Sequence, residues 1–238
     1  MTNYTQWKSL VDLHEYSAIP DSAISHYDAT DSGSVTTSNG SITSVEDLIG
    51  NRDLSPVDDP QLVSNGIGGN ASFETDGDND EGLTNTDTYV NDEDFAVVMV
   101  YEIQESVNSN NFLFGTGDGG GTDGIQDDDG GEFQHFRGDT VNENSGYSPD
   151  GNAHILVWEC ESDGTTDLRI DGTAQGEISA DGTDMLGLSL GRRAPDDGSS
   201  SSIPINSQYG EVIILEDYSD SDITNVEQQL SDKWDISI

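Results

Sequence analysis

Residues 210–234 read GEVIILEDYSDSDITNVEQQLSDKW, and the way this stretch divides decides the fold. Its first part, Glu211-Val212-Ile213-Ile214-Leu215-Glu216, is β-branched and apolar on both alternating faces. That is the pattern of a strand in the middle of a sheet rather than one with a solvated side. A helix signal follows at once. Ser219 or Ser221 supplies an N-cap, and Asp220 and Asp222 set negative charge at the positive end of the helix. Ile223, Val226 and Leu230 form one apolar stripe at spacings of three and four. The predicted unit is a core strand, a capped helix of about three turns and a closing Trp234.

The strand signal recurs upstream. Residues 95–103, FAVVMVYEI, are a continuous apolar run of strand length and belong near the middle of a sheet. Phe112-Leu113-Phe114 is expected as the neighbour of that run, across the polar turn 108–111. Residues 115–132 are mostly Gly and Asp and read as a loop, with a short strand returning at 133–137. The clearest hairpin lies in 153–172. One strand runs from His154 to Glu161 and its partner from Asp167 to Ile170, ending in the tight turn Asp171-Gly172, where Gly accepts positive φ without steric cost. Many short strands, Gly- and Asp-rich turns and only two helix signals predict an all-β sandwich. The second helix signal is N-terminal: Trp7, Leu10, Val11 and His14 fall at helical spacing before Ile19-Pro20-Asp21 breaks the helix. Residues 1–22 therefore read as a helical arm and 23–238 as one β domain. The arm either caps the domain's own core or docks it, through Trp7, Leu10 and Val11, onto a larger assembly.

A chain of 238 residues buries roughly 70% of its unfolded surface and builds one large core. Its charge is extreme. There are 48 acidic residues against 7 basic ones, a formal net charge of -41, and the lysines are Lys8 and Lys233. Self-repulsion on that scale strains a compact fold, and salt relieves it, since the screening length falls from about 10 Å at 0.1 M to about 3 Å at 1 M. The composition predicts a protein that needs high salt for stability. With no basic patch, binding to nucleic acid is excluded from the expected partners. Cys160 is alone, so it forms no internal disulfide. The opening MTNYTQWKSL lacks a basic region followed by an apolar run, and no segment approaches the ~20 apolar residues of a membrane span. Neither membrane insertion nor a recognisable export signal is expected.

Several short matches, in order, resemble laminin-G-like, concanavalin A-like lectin/glucanase domains. Tyr27-Asp28-Ala29-Thr30-Asp31 is similar to that family's opening strand, Gly50-Asn51-Arg52-Asp53-Leu54 to its G-N-x-x-L turn, and residues 65–73, NGIGGNASF, to its N-G-x-x-x-x-x-F strand entry. The hairpin ending at Asp171-Gly172, the strand Ser189-Leu190-Gly191-Arg192 and the closing helix with its L-x-x-K-W complete the series, from 27 to 234. His26 and Val45 depart from the pattern where the family often carries Trp. The resemblance implies a jelly roll of two antiparallel sheets with loops gathered at the rims.

Glycosidases on such a fold present two carboxylates roughly 5 to 10 Å apart, often from an E-x-D-x-x-E strand, and that pattern is missing here. Glu159 and Glu161 share a strand face, which a solvated acidic strand would also produce. There is no G-x-S-x-G elbow and no H-E-x-x-H zinc helix. The expectation is a non-enzymatic chain. Asp76, Asp78 and Asp80 imitate the start of a calcium loop, but Glu81 and Asp87 stand where such a loop wants Gly and Glu; calcium is the one cofactor entertained, together with high salt. Sugar recognition wants aromatic faces beside polar groups at a rim, and Phe136, Tyr147 and Tyr209 lie near loops. Trp158 alternates with core positions and reads as core.

A lectin-like sandwich without an export signal or catalytic signature is expected as a virion surface component of a virus of halophilic archaea: a capsid decoration, turret, spike or tail fibre, made in the host cytoplasm. The partners expected are copies of itself, other virion proteins and host surface glycans. The alternative expectation is an exported glycan-binding module, or a polysaccharide-degrading enzyme, at a halophile's cell surface or outside the cell.

Overall fold

The computed structural model describes residues 19–77, 81–104, 111–117, 122–127, 131–137, 140–142, 145–179, 184–192 and 205–238. The expected N-terminal helix, with Trp7, Leu10 and Val11, lies outside them. In chain order the strands are β1 (Ala23–Asp28), β2 (Val35–Ser38), β3 (Ser41–Val45), β4 (Ser55–Val57), β5 (Gln61–Val63), β6 (Ser72–Thr75), β7 (Gly82–Asn85), β8 (Phe95–Ile103) and β9 (Phe112–Gly117). They continue with β10 (Thr122–Asp127), β11 (Phe133–Arg137), β12 (Thr140–Asn142), β13 (Ala153–Cys160), β14 (Thr165–Ile170), β15 (Thr173–Ser179), β16 (Leu188–Leu190) and β17 (Ser207–Glu216), and the helix α1 (Asp220–Trp234) closes the chain.

They form two antiparallel sheets. The larger has the order β15-β14-β13-β8-β17-β6-β5-β3-β2, with β1 also on β17, and the smaller has the order β12-β11-β10-β9-β16-β7-β4. Inner faces meet in one apolar core that includes Phe73, Leu83, Phe114, Ile125, Phe133, Trp158 and Val212. A second apolar layer lies outside the larger sheet. There Ala96, Val98, Val100, Ile155, Val157, Ile213 and Leu215 pack against Ile223, Val226, Leu230 and Trp234 of α1. This explains why β8 and β17 are apolar at successive positions: one face fills the sandwich and the other the helix seat. The helix begins as expected, with Ser219 as N-cap and Asp222 returning its carboxylate to the Ser219 N–H, a capping box.

β17 changes phase in its middle. Tyr209 pairs with Tyr101 and Glu211 with Val100, so Gly210 is an extra residue in the ladder. The bulge lets Tyr209 and Val212 both face the core and turns Glu211 toward α1. The ring of Trp234 occupies the space over Gly210, where a Cβ would stand 2.6 Å from its Cη2.

Two expectations are corrected. β9 is not the neighbour of β8: β8 is flanked by β13 and β17, and β9 belongs to the opposite sheet. Residues 115–132 are not all loop, because β10 runs through them and pairs with both β9 and β11. Its sequence, TDGIQD, offers Ile125 as its one apolar side chain, and Gly124, opposite Gly115, has φ of 134° and no room for a Cβ against the Phe114 carbonyl. The two antiparallel sheets and the C-terminal helix agree with the expected sandwich.

Candidate functional site

The site is built where β8 ends and β13 begins. Tyr101 and His154 stand directly opposite each other in that ladder, which sets their side chains on one face at the rim of the sandwich. The β13–β14 ladder pairs Leu156 with Ile170, so the hairpin geometry returns the Asp171-Gly172 turn beside His154. Both turn residues have positive φ, 47° and 69°. The Asp171 carboxylate accepts the Ile155 N–H at 2.8 Å through Oδ1 and holds His154 Nδ1 at 2.6 Å through Oδ2. From the loop before β13, Asp150 Oδ1 meets His154 Nε2 at 2.9 Å and accepts the Asn152 N–H at 2.9 Å. Tyr147, on the same loop, is fixed by its carbonyl, which accepts the Phe133 N–H at 2.8 Å, and by its hydroxyl, which accepts from Tyr101 at 3.3 Å. Its ring lies against Phe133 and edge-on to His154, centroids 5.2 and 5.5 Å away.

Electrostatics agrees with the geometry. Burial opposes a charge on His154, but the Asp171 and Asp150 carboxylates outweigh it and raise its pKa above the ordinary imidazole value. The hydrogen bonds from His154 and Asn152 pull Asp150 down to about 2. Burial lifts the Tyr147 and Tyr101 hydroxyls well above the usual phenol range, so both are neutral. The group is therefore an imidazole clamped between two carboxylates that favour its charged form, beside a half-buried tyrosine ring. Asp150 is 54% exposed and Asp171 26%. An aromatic face next to outward carboxylate oxygens is suited to stack on a sugar ring and accept from its hydroxyls.

Of the aromatics expected to bind sugar, Tyr147 is at this rim. Tyr209 is not: it is fully buried, its hydroxyl donating to the Leu113 carbonyl at 2.5 Å and accepting from Ser207 at 2.7 Å, because the bulge at Gly210 turns it inward. Phe136 is half-buried and faces away from the core, opposite Gly124, whereas Phe133 on the other face of β11 is the residue that meets Tyr147. Of the three expected calcium ligands, Asp76 is held at its backbone N–H by Glu81 Oε2 at 3.0 Å; Asp78 and Asp80 lie outside the described residues. Glu159 pairs with Arg169 at 3.0 Å, and Arg169 also reaches Glu227 of α1 at 3.4 Å. This ties the outer sheet face to the helix, and Glu161 is exposed beyond it. Sequence reasoning missed Asp150, His154 and Asp171 as a group.

His26, Asp28 and Glu211 converge closely enough to hold a metal ion. The place of a cation is already taken. Lys233 Nζ lies 2.7 Å from Asp28 Oδ2 and 2.6 Å from Glu211 Oε2, while His26 Nε2 lies 2.7 Å from Glu211 Oε1. This cluster binds α1 to β1 and β17. No described helix is long and apolar enough to cross a membrane.

No protein-family model and no curated protein matches the sequence. Solved structures do match the fold. Trypanosoma rangeli sialidase in complex with sialic acid has a TM-score of 0.62 at 15% identity, over 90% of this chain and 34% of that one. The same enzyme in complex with the inhibitor DANA gives 0.62 at 14%, over 88% and 33%. The binding domain of Botulinum neurotoxin DC, in complex with rat synaptotagmin II, gives 0.60 at 14%, over 90% and 52%. The chain thus spans about a third of the sialidases and half of the toxin domain. At such identities the likeness is one of fold. It corrects the expectation of a non-enzymatic chain, which leaned on fold and missing motifs: sialidases are glycoside hydrolases, and they carry this sandwich.

Proposed function

We propose that the chain is a carbohydrate-binding β-sandwich whose ligand site is the rim formed by Tyr147, Asp150, His154 and Asp171. The observation that carries this reading is the half-buried Tyr147 ring held edge-on to the His154 imidazole with an exposed carboxylate beside it. Binding domains and sialidases among its structural neighbours support a role in engaging glycans or glycosylated receptors at a surface. The test is a glycan array probed with the full chain and with Tyr147→Ala. Retained folding and lost binding in the variant supports the site, and equal binding by both chains removes it. Incubation of bound glycans with the chain, followed by product analysis, tells binding from cleavage.

The finer part of the proposal is a virion surface component of a virus of halophilic archaea, oligomeric and in contact with host glycans. Its support is the -41 net charge, suited to brine, joined to a lectin-like sandwich. Mass spectrometry of purified particles decides it, and absence of the chain from them ends the idea.

A further inference from the structure

We infer that the Tyr147–His154 rim selects a neutral, hydroxyl-rich sugar and rejects acidic sugars, sialic acid among them. The inference rests on the reading of this rim as a glycan site and adds the ligand's chemical class.

The first argument is an inventory of donors. Recognition of a sugar carboxylate needs N–H or cationic donors pointing outward. Here both ring nitrogens of His154 are occupied, by Asp171 and by Asp150, and the backbone N–H groups of Ile155 and Asn152 are turned onto those same carboxylates. The charged groups that remain outward are acceptors, the 54%-exposed carboxylate of Asp150 and the 26%-exposed carboxylate of Asp171; the Tyr147 hydroxyl, which accepts from Tyr101, adds a neutral O–H. Sugar hydroxyls donate to the carboxylate oxygens, and a second carboxylate is repelled by them.

The second argument concerns where the basic side chains are. Among the described residues none is exposed, and each is turned to the fold. Arg52 donates to the carbonyls of Ile24 and Thr88 and covers the Tyr89 ring. Arg137 is buried over Phe95, Arg169 ties Glu159 to Glu227, Arg192 lies over Gly82, and Lys233 fills the Asp28–Glu211 cluster. None of these contacts is at the Tyr147 rim, where Glu102, opposite Ala153, is one more acidic group. Among the described residues the rim has no cation besides His154, whose ring nitrogens are taken by Asp171 and Asp150, and the field of the whole chain repels an incoming anion.

The experiment uses the full chain, in salt that keeps it folded by circular dichroism, on an array carrying matched pairs: lactose and 3′-sialyllactose, with neutral and uronic-acid oligosaccharides beside them. Binding is expected on neutral glycans and weaker by about tenfold or more on their acidic counterparts. Asp150→Asn is expected to lower binding of neutral glycans and to narrow the neutral-to-acidic ratio. Acidic glycans bound as well as neutral ones overturn the inference and leave the glycan-binding reading standing. Binding to no glycan overturns the reading itself and the inference with it. An unchanged ratio in a folded Asp150→Asn chain removes this rim as the origin of the selectivity.

Discussion

The indole N–H of Trp234 donates to Glu211 Oε2 at 3.0 Å, while its ring lies over the bulge at Gly210 one residue before. The last turn of α1 is thus fastened to the central strand by polar and apolar contact together. Burial tends to raise the pKa of Glu211, but the hydrogen bond to His26 and the charge of Lys233 hold it below the ordinary value. For Lys233, burial works against the charge and Glu211 outweighs it, raising the pKa. The sign follows from linkage. The carboxylate's contribution is present above its unfolded pKa near 4.5 and lost as pH falls through the lowered folded value. That of the ammonium is present below 10.5 and lost as pH rises through the raised one. Glu211→Gln is expected to cost about 3 kcal/mol in denaturant unfolding and to reduce the pH dependence at both ends.

Gly210→Ala is expected to destabilise by about 1–3 kcal/mol, because the new methyl meets the Trp234 ring. In a Trp234→Leu background the same change should cost less. A double-mutant cycle by chemical denaturation measures the difference, and strict additivity would deny the contact.

His135 is fully buried with neither ring nitrogen hydrogen-bonded, and burial lowers its pKa to about 4. Between that value and the ordinary 6.5 the unfolded chain binds the extra proton, so stability rises with pH across this window. His135→Leu removes both the unpaired nitrogens and the titration. It should raise stability at pH 5 by about 1 kcal/mol and flatten the acid limb of a melting profile.

His154 gives the opposite sign. Its raised pKa means that its tie to Asp150 and Asp171 is at full strength below the unfolded value of 6.5 and fades as pH rises through the folded one. Hydrogen exchange at the Ile155 and Asn152 amides, which those carboxylates hold, should accelerate on that rise beyond its intrinsic base catalysis. Asp171→Asn should remove the extra acceleration.

Thermal midpoints should climb steeply with sodium chloride into the molar range, as a net charge of -41 is screened over progressively shorter distances. Differential scanning fluorimetry across a salt series checks it. A flat series would show that the like charges are not what limits stability.

What the sequence made legible was whatever its own periodicity encodes. β8, the β13–β14 hairpin and the strand-to-helix unit of β17 and α1 stand out because each carries a dense apolar pattern with a turn or cap beside it. β10 does not, since Ile125 alone marks it. The placement of Phe112-Leu113-Phe114 next to β8 failed for a different reason: nearness in the chain says nothing about which of two sheets a strand joins. At the proposed rim, chemistry alone makes Tyr147 a candidate, while nothing in the local sequence groups Asp150, His154 and Asp171. The signal was in the hairpin arithmetic. A ladder joining Leu156 to Ile170 brings residue 154 level with 172, and an aspartate at 171 is then within reach of the histidine. Tyr209 misled because its outward or inward aspect depends on the bulge one residue later.

That single additional residue gives the central strand a different tolerance to shortening than to substitution. Removing Gly210 would leave a regular ladder, Tyr209 still opposite Tyr101 and Glu211 opposite Val100, with Ile213 and Leu215 kept toward the helix and Val212 and Ile214 toward the sandwich. A one-codon deletion there should therefore be milder than the loss of Val212 or Ile213, which would exchange the faces of the residues before or after it, while a bulky replacement at Gly210 meets the Trp234 ring.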